Sequence, residues 1–217
     1  MSKTTAKPSK EVIARYKKVQ KVLDRYITDP DTALNYKTPF QLLIATILSA
    51  QCTDVLVNKV TAKLFKKYPK PGDFAKARLA QITKDIYPIT FYRNKAKSVK
   101  KTAEIIHNKY KDRLPKTVAE LTELPGAARK TANVVLGHAF GIAEGVVVDT
   151  HVIRLSNRFG LSKSKDPKII EQELMRIVPQ KRWITFSDQM ILYGRQYCTA
   201  RIDKCEGMNI KLLHYSK

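Results

Sequence analysis

The chain has 217 residues, with 41 Lys and Arg against 19 Asp and Glu, a formal net charge of +22. Apolar residues make up 43%, enough for a packed core in one large domain or two small ones, which excludes wholesale disorder. Such a cationic excess repels itself in a compact fold unless a polyanion neutralises it, so nucleic acid leads as partner; a membrane surface ranks lower, because no apolar run approaches about 18 residues and no basic amphipathic helix stands out.

In chain order, the opening MSKTTAKPSK is polar and basic and lacks the apolar segment of a secretion signal. It reads as a loose tail over residues 1–9, suited to touching phosphates. SKEVIARYKKVQKVLDRYI then places Ile13, Tyr16 and Val19 at helical spacing. Thr38 and Pro39 form an N-cap and first-turn proline for FQLLIATILSA, which is apolar on most sides and predicts a buried helix. TDVLVNKVTAKLFKKY puts Val57, Val60 and Leu64 on one stripe, with Asp54 as the expected cap. KAKSVKKTAEIIHNKY predicts a further helix. Thr117-Val118-Ala119-Glu120 has the form of a capping box, so a short helix starts there and stops at Leu124-Pro125-Gly126.

The next helix carries Ala132, Val135, Leu136, Ala139 and Phe140 on one face. At about 100° per residue, Lys130 lies roughly opposite the middle of that face. GVVVDTHVIRLSNRFGL gives a short apolar run and then Asp149 at a helix N-cap position. Asp166-Pro167 opens a helix with Ile170, Leu174 and Ile177 inward, and a last helix contains Trp183, Phe186, Met190 and Tyr193. No strand alternation is sustained, and there is no repeat or low-complexity linker. The fold class is therefore all-α. The three cysteines, Cys52, Cys198 and Cys205, are odd in number and sparse, which argues against a disulfide framework and for a reducing compartment.

LPGAARKTANVVLGHAF carries the densest signal. Gly126 lets the backbone turn at positive φ, and the helix that follows points free N–H groups and its positive dipole end outward. That device holds phosphate and reads backbone rather than base sequence. An ordinary αα-hairpin has the same outline. LTELPGAARKTANVVL resembles the helix-hairpin-helix of the endonuclease III family of DNA glycosylases. VVVDTH resembles the segment that follows it in that superfamily, LLIATILSAQCTD the family's LLSAQ-TD segment, and FYRNKAK its second recognised loop. The four motifs agree in order and spacing, and the resemblance runs from about residue 10 to the C-terminus.

The resemblance implies two helical lobes with a DNA-binding groove between them. One lobe would span 31–142 and contain the hairpin; residues 10–30 plus 143–217 would form the other, with a degenerate cluster loop. It implies a base-excision repair enzyme, a DNA glycosylase with AP lyase activity that acts on oxidised pyrimidines in duplex DNA. The protein is then expected to be a monomer, cytoplasmic and nucleoid-associated, without membrane attachment. Lys130 would be the nucleophile that attacks C1′ of the flipped nucleotide. Asp149 would turn its carboxylate towards that lysine across the seam of the lobes and help deprotonate it, although from the sequence alone a plain N-cap suffices to explain the residue. Gly126, Ala128 and Arg129 would meet the DNA backbone. His151 would orient a phosphate or the carboxylate, or be a structural histidine. Extruding a nucleotide costs a few kcal/mol, offset when side chains fill the gap; by resemblance Gln51 is the filler and Phe91 the apolar wedge, against the simpler readings of a polar helix end and a packed ring.

This sequence departs from the family pattern in three places. Ala128 stands at the second glycine of the hairpin, which implies weaker non-specific affinity, and Thr90 stands where a glycine is common, which implies a stiffer loop. Many relatives end in four cysteines that hold a [4Fe–4S] cluster. Here only Cys198 and Cys205 remain, and the third and fourth positions are Met208 and His214. A cubane needs one ligand per iron, normally thiolate, so no cluster and no other cofactor or metal is expected. Met208, Ile210, Leu212 and Leu213 would fill the vacated volume. A Cys198–Cys205 disulfide, or a zinc site on Cys198, Cys205 and His214, are the alternatives. The rival functions are a thymine/uracil mismatch glycosylase on the same scaffold and a catalytically impaired DNA-binding relative.

Overall fold

The computed structural model describes residues 7–201 and 205–207. Among these residues the chain is helical and forms no β-sheet. Among the described residues, no helix is long and apolar enough to cross a membrane. The chain divides into two compact units, one of Thr32–Glu144 and one of the segments up to Asp31 and from Gly145 onward.

The Thr32–Glu144 unit is built around α2 (Pro39–Ser49). Thr38 caps it by accepting from the Gln41 N–H, and Pro39 occupies the first turn, where a missing N–H costs nothing. Every residue from Phe40 to Leu48 is buried. The apolar content on all sides is thus satisfied by neighbours all round: α3 (Asp54–Lys67), α6 (Tyr92–Asn108) and α8 (Arg129–Phe140) pack against it. Two short helices, α4 (Pro71–Lys76) and α5 (Leu79–Asp85), pack on α6, and α7 (Val118–Thr122) packs on α8. Leu42, Leu43, Ile44, Val57, Leu64, Phe74, Val99, Ile106, Val135 and Leu136 make one core. Each such side chain contributes about 1.5–3 kcal/mol when fully buried.

The other unit holds α1 (Lys10–Tyr26), α9 (Thr150–Arg158), α10 (Pro167–Ile177), a 3₁₀ turn at Gln180–Arg182 and α11 (Trp183–Gln196). α11 packs on α1 and α9, and α10 on both of those as well. Tyr16, Val19, Leu23, Val152, Leu155, Phe159, Ile170, Leu174, Phe186 and Met190 are buried there. Tyr16 and Phe186 meet edge to face at 5.9 Å between centroids.

Several expectations need correcting. The cap of α3 is Thr53, whose hydroxyl accepts from the Leu56 N–H, not Asp54, which lies one residue inside. An acid in the first turn still suits the helix dipole, so the two positions look alike in sequence. The capping box at α7 is half made. Thr117 accepts from the Glu120 N–H, but the Glu120 carboxylate accepts from the Thr117 hydroxyl instead of reaching the backbone. Ser9 is not part of a loose tail, since it caps α1; residues 1–6 of that tail lie outside the described residues. Helices α4 and α5 escape the sequence because six and seven residues are too short to display a period.

Candidate active site

The hairpin is α7, the turn Glu123–Ala128 and α8. Gly126 has φ +84, which only glycine adopts without strain, and a Cβ there would stand 3.1 Å from both Ile47 Cγ2 and Ser98 Cβ. The glycine is therefore needed so that the turn can seat against α2 and α6, whatever it does for a ligand. Thr102, fully buried on α6, donates its hydroxyl to the Pro125 carbonyl at 2.8 Å and pins the same turn.

Ala128 is the N-cap of α8, with φ −77 and ψ 169. This is extended backbone open to any residue, so replacing glycine here introduces no strain. Alanine offers no side-chain acceptor, and no side chain caps α8. A Ser or Asp at this position would ordinarily accept from first-turn N–H groups, and Ala128 does not. The turn they belong to holds Arg129 and Lys130 and no acid. Lys130 is exposed, as its position opposite the apolar face requires.

Two further expected residues lie in the same unit. Gln51 follows the end of α2 and has φ 54; Phe91 precedes α6 and has φ 57. Left-handed backbone costs a non-glycine residue about 1–3 kcal/mol and persists where its surroundings over-determine it. Both side chains are exposed, Phe91 by 60%, so the reading in which Phe91 merely packs does not hold. Thr90 does not share the unusual conformation, so the glycine it replaces is not required by backbone at that position.

Sequence reasoning missed the residue behind these two loops. Lys95 is buried, and its ammonium donates to the Leu48 carbonyl at 2.8 Å and the Ala50 carbonyl at 2.5 Å. The available signal was its phase: Lys95, Val99, Thr102 and Ile106 lie on the inner stripe of α6, where a lysine is out of place.

In the other unit Asp149 is the N-cap of α9. Its Oδ1 accepts from the His151 N–H at 2.8 Å and the Val152 N–H at 2.9 Å. The buried run Val146–Val148 leads into it, and the Val147 N–H donates to Ser187 Oγ. His151 lies beside Arg154, whose Nη2 stands 3.4 Å from its Nδ1. A Cβ on Gly194 would stand 3.0 Å from the His151 Cβ, so α11 approaches closely only because that residue is glycine. Burial lowers the pKa of His151, Asp149 opposes this, and Arg154 and Arg195 reinforce it. The imidazole is therefore neutral near pH 7. Arg154, another residue the sequence did not single out, also donates to the Gly194 and Cys198 carbonyls and ties α9 to the end of α11.

Cys198 and Cys205 are buried and joined in a disulfide, with Cα atoms 4.4 Å apart. Arg158 Nη1 stands 3.2 Å from the Cys198 sulfur and 3.6 Å from that of Cys205. Met208 and His214, with the apolar filling expected of Met208, Ile210, Leu212 and Leu213, lie outside the described residues. A [4Fe–4S] cluster takes a ligand, normally thiolate, on each of four irons. This segment supplies two cysteines, with Met208 and His214 at the other two positions, so the donor set does not fit that group.

The chain is similar to the endonuclease III of Synechocystis, at 48% identity over 85% of this chain and 84% of that one. It is 44% identical to the endonuclease III of Bacillus subtilis, over 79% and 78% of the two chains. Its fold superposes with a TM-score of 0.87 on a trapped endonuclease III–DNA covalent intermediate in an estranged-adenine complex, at 39% identity over 95% of this chain and 96% of that one. A family model for HhH-GPD superfamily base excision DNA repair proteins matches residues 44–180, a span that takes in the Gln51 turn, the hairpin, Lys130 and Asp149. The chain belongs to the HhH-GPD superfamily of base excision DNA repair proteins.

Proposed function

We propose that this protein is a bifunctional DNA glycosylase and AP lyase that removes oxidised pyrimidines from duplex DNA, with Lys130 as nucleophile. The observation that carries the reading is the start of α8. An exposed lysine stands in the first turn of a helix whose N-cap, Ala128, offers no side-chain acceptor, directly after a turn fixed by Gly126 and Thr102. Backbone phosphate is the acceptor that such a terminus suits, and the net charge of +22 favours a polyanion.

The chemistry follows from an amine at the sugar. The Lys130 lone pair attacks C1′ of the extruded nucleotide, and the bond from C1′ to the base breaks with its electron pair leaving on the base. Loss of the amine proton and opening of the sugar give an iminium. The iminium acidifies the C2′ proton, and removal of that proton expels the 3′ phosphate by β-elimination. Water then releases the lysine. Asp149 supplies the carboxylate that assists proton removal and stabilises positive charge developing on the sugar. One of its oxygens is committed to the α9 cap. Gln51 and Phe91 occupy the gap left in the duplex, Arg129 and the Gly126–Ala128 turn hold backbone, and His151 donates to phosphate from its neutral ring. We infer further that the chain works on nucleoid DNA in the cytoplasm and carries no iron–sulfur cluster; Met208 and His214 in place of two cysteines support the second point.

Borohydride trapping on a duplex with a single abasic site tests the mechanism, comparing wild type with Lys130→Ala. The expected result is a covalent adduct in wild type and none in the variant, with single-turnover strand cleavage reduced by about 10³-fold or more. An adduct that persists in Lys130→Ala would show that another amine is the nucleophile. Defined duplexes carrying an oxidised pyrimidine or a thymine opposite guanine then separate the lesion reading from mismatch repair.

A further inference from the structure

The segments bearing Gln51 and Phe91 are some forty residues apart in sequence, yet both hold a non-glycine residue in left-handed backbone. Only two other non-glycine residues among those described do so, Lys111 and Asp112. Strain of this kind relaxes unless something fixes it on both sides. One residue touches the backbone of both segments. The Lys95 N–H donates to the Phe91 carbonyl at 3.1 Å, closing the first turn of α6 on the strained residue itself. The Lys95 ammonium donates to the Ala50 carbonyl, which belongs to the peptide group leading into Gln51, and to the Leu48 carbonyl at the end of α2.

We propose that Lys95 is a positioning residue for nucleotide extrusion, a clamp that holds the Gln51 and Phe91 loops in fixed register through their own peptide groups. The inference rests on the reading in which Gln51 and Phe91 fill the gap in the duplex. Its physical ground is that an ammonium offers several donors from one point. The last carbonyls of α2 have no partner within the helix and carry the negative end of its dipole, so a cation is the group that suits them. Burying a lysine is costly, and its charge is normally met by a carboxylate. Here the ammonium bonds two main-chain carbonyls. Burial lowers the Lys95 pKa, with the neighbouring Cys52 acting the other way. A residue serving only the core would be served as well by leucine or methionine at this phase of α6. The donors are what the two strained loops require.

The test is a double-mutant cycle read in single-turnover base excision, with thermal unfolding as a check on the fold. Lys95→Met keeps the length and removes the donors. It is expected to slow excision by about 10–100-fold while the protein remains folded. In the Gln51→Ala/Phe91→Ala background, where there is nothing left to position, the same change is expected to cost less than about threefold. A loss in that background equal to the loss in wild type would overturn the proposal and make Lys95 a plain stability residue. An unchanged rate in Lys95→Met alone would overturn it too. If Gln51→Ala/Phe91→Ala itself excises at the wild-type rate, the gap-filling reading falls and the clamp with it. Should Lys95→Met not fold, Lys95→Gln, whose nitrogen is uncharged and one bond too short to span both the Leu48 and Ala50 carbonyls, goes through the same cycle and is judged by the same outcomes.

Discussion

Helices α8 and α9 begin in opposite ways. α8 starts at Ala128, which offers its first-turn N–H groups no acceptor, and that turn is cationic. α9 starts at Asp149, whose carboxylate takes two of the equivalent N–H groups for itself. An uncapped terminus is worth about 1 kcal/mol less to the fold than a capped one, but it leaves a site for an anion from outside. A capped terminus is closed to anions and instead fixes its own carboxylate in one orientation. The same kind of orphan donors is thus left without an N-cap side chain at α8 and taken up by the cap's own carboxylate at α9.

The contrast can be broken most forcefully at Asp149. Asp149→Asn keeps an oxygen for the cap and loses the charge. Thermal unfolding should change little, while single-turnover excision falls by about 100-fold. Asp149→Ala should add to that a stability loss of about 1 kcal/mol. Equal stability for the two variants would mean that the cap contributes nothing.

A smaller effect is expected at the other terminus. Ala128→Asp gives α8 the cap that α9 has, so it should raise the unfolding temperature and weaken duplex binding by about tenfold at low salt. Ala128→Gly, by contrast, should leave binding within about twofold, because φ −77 gives glycine no advantage. Tighter binding by the glycine variant would instead bear out the expectation that Ala128 weakens non-specific affinity.

The smallest effect concerns pH and belongs to α9. Burial holds the His151 pKa below its ordinary 6.5. The unfolded chain therefore binds more protons than the folded one as pH falls below about 6.5, and stability drops there. The His151 contribution is fully present above that value and is lost as pH falls towards the depressed one. His151→Gln should flatten this part of an unfolding-temperature profile taken between pH 7.5 and 5, and an unchanged profile would remove His151 as its source.

How much of this was legible in the sequence depends on how far apart the interacting groups lie. Gly126, the Thr38-Pro39 start, the Asp149 and Asp166 caps and the outward Lys130 could all be read directly. Each rests on a conformational preference, or on a hydrogen bond spanning two or three residues, written in adjacent letters. The family resemblance added Gln51 and Phe91 but not the reason they stay strained. Thr53 and Asp54 show the limit even locally, because two good capping residues side by side leave the choice to geometry.

The sequence by itself determined an all-α fold, two termini of opposite character and a basic chain built for a polyanion. Periodicity, capping and charge are properties of a segment, and they survive without knowledge of its neighbours. Tertiary structure alone decided that Lys95 ties Ala50 to Phe91, that Thr102 pins Pro125, that Arg154 joins α9 to the end of α11, and that Arg158 lies against two paired sulfurs. These bonds, apart from the backbone link of Lys95 to Phe91, join residues more than twenty positions apart. Folding brings them together through burial of surface, which is non-directional, so no local pattern announces which distant carbonyl a buried donor will find.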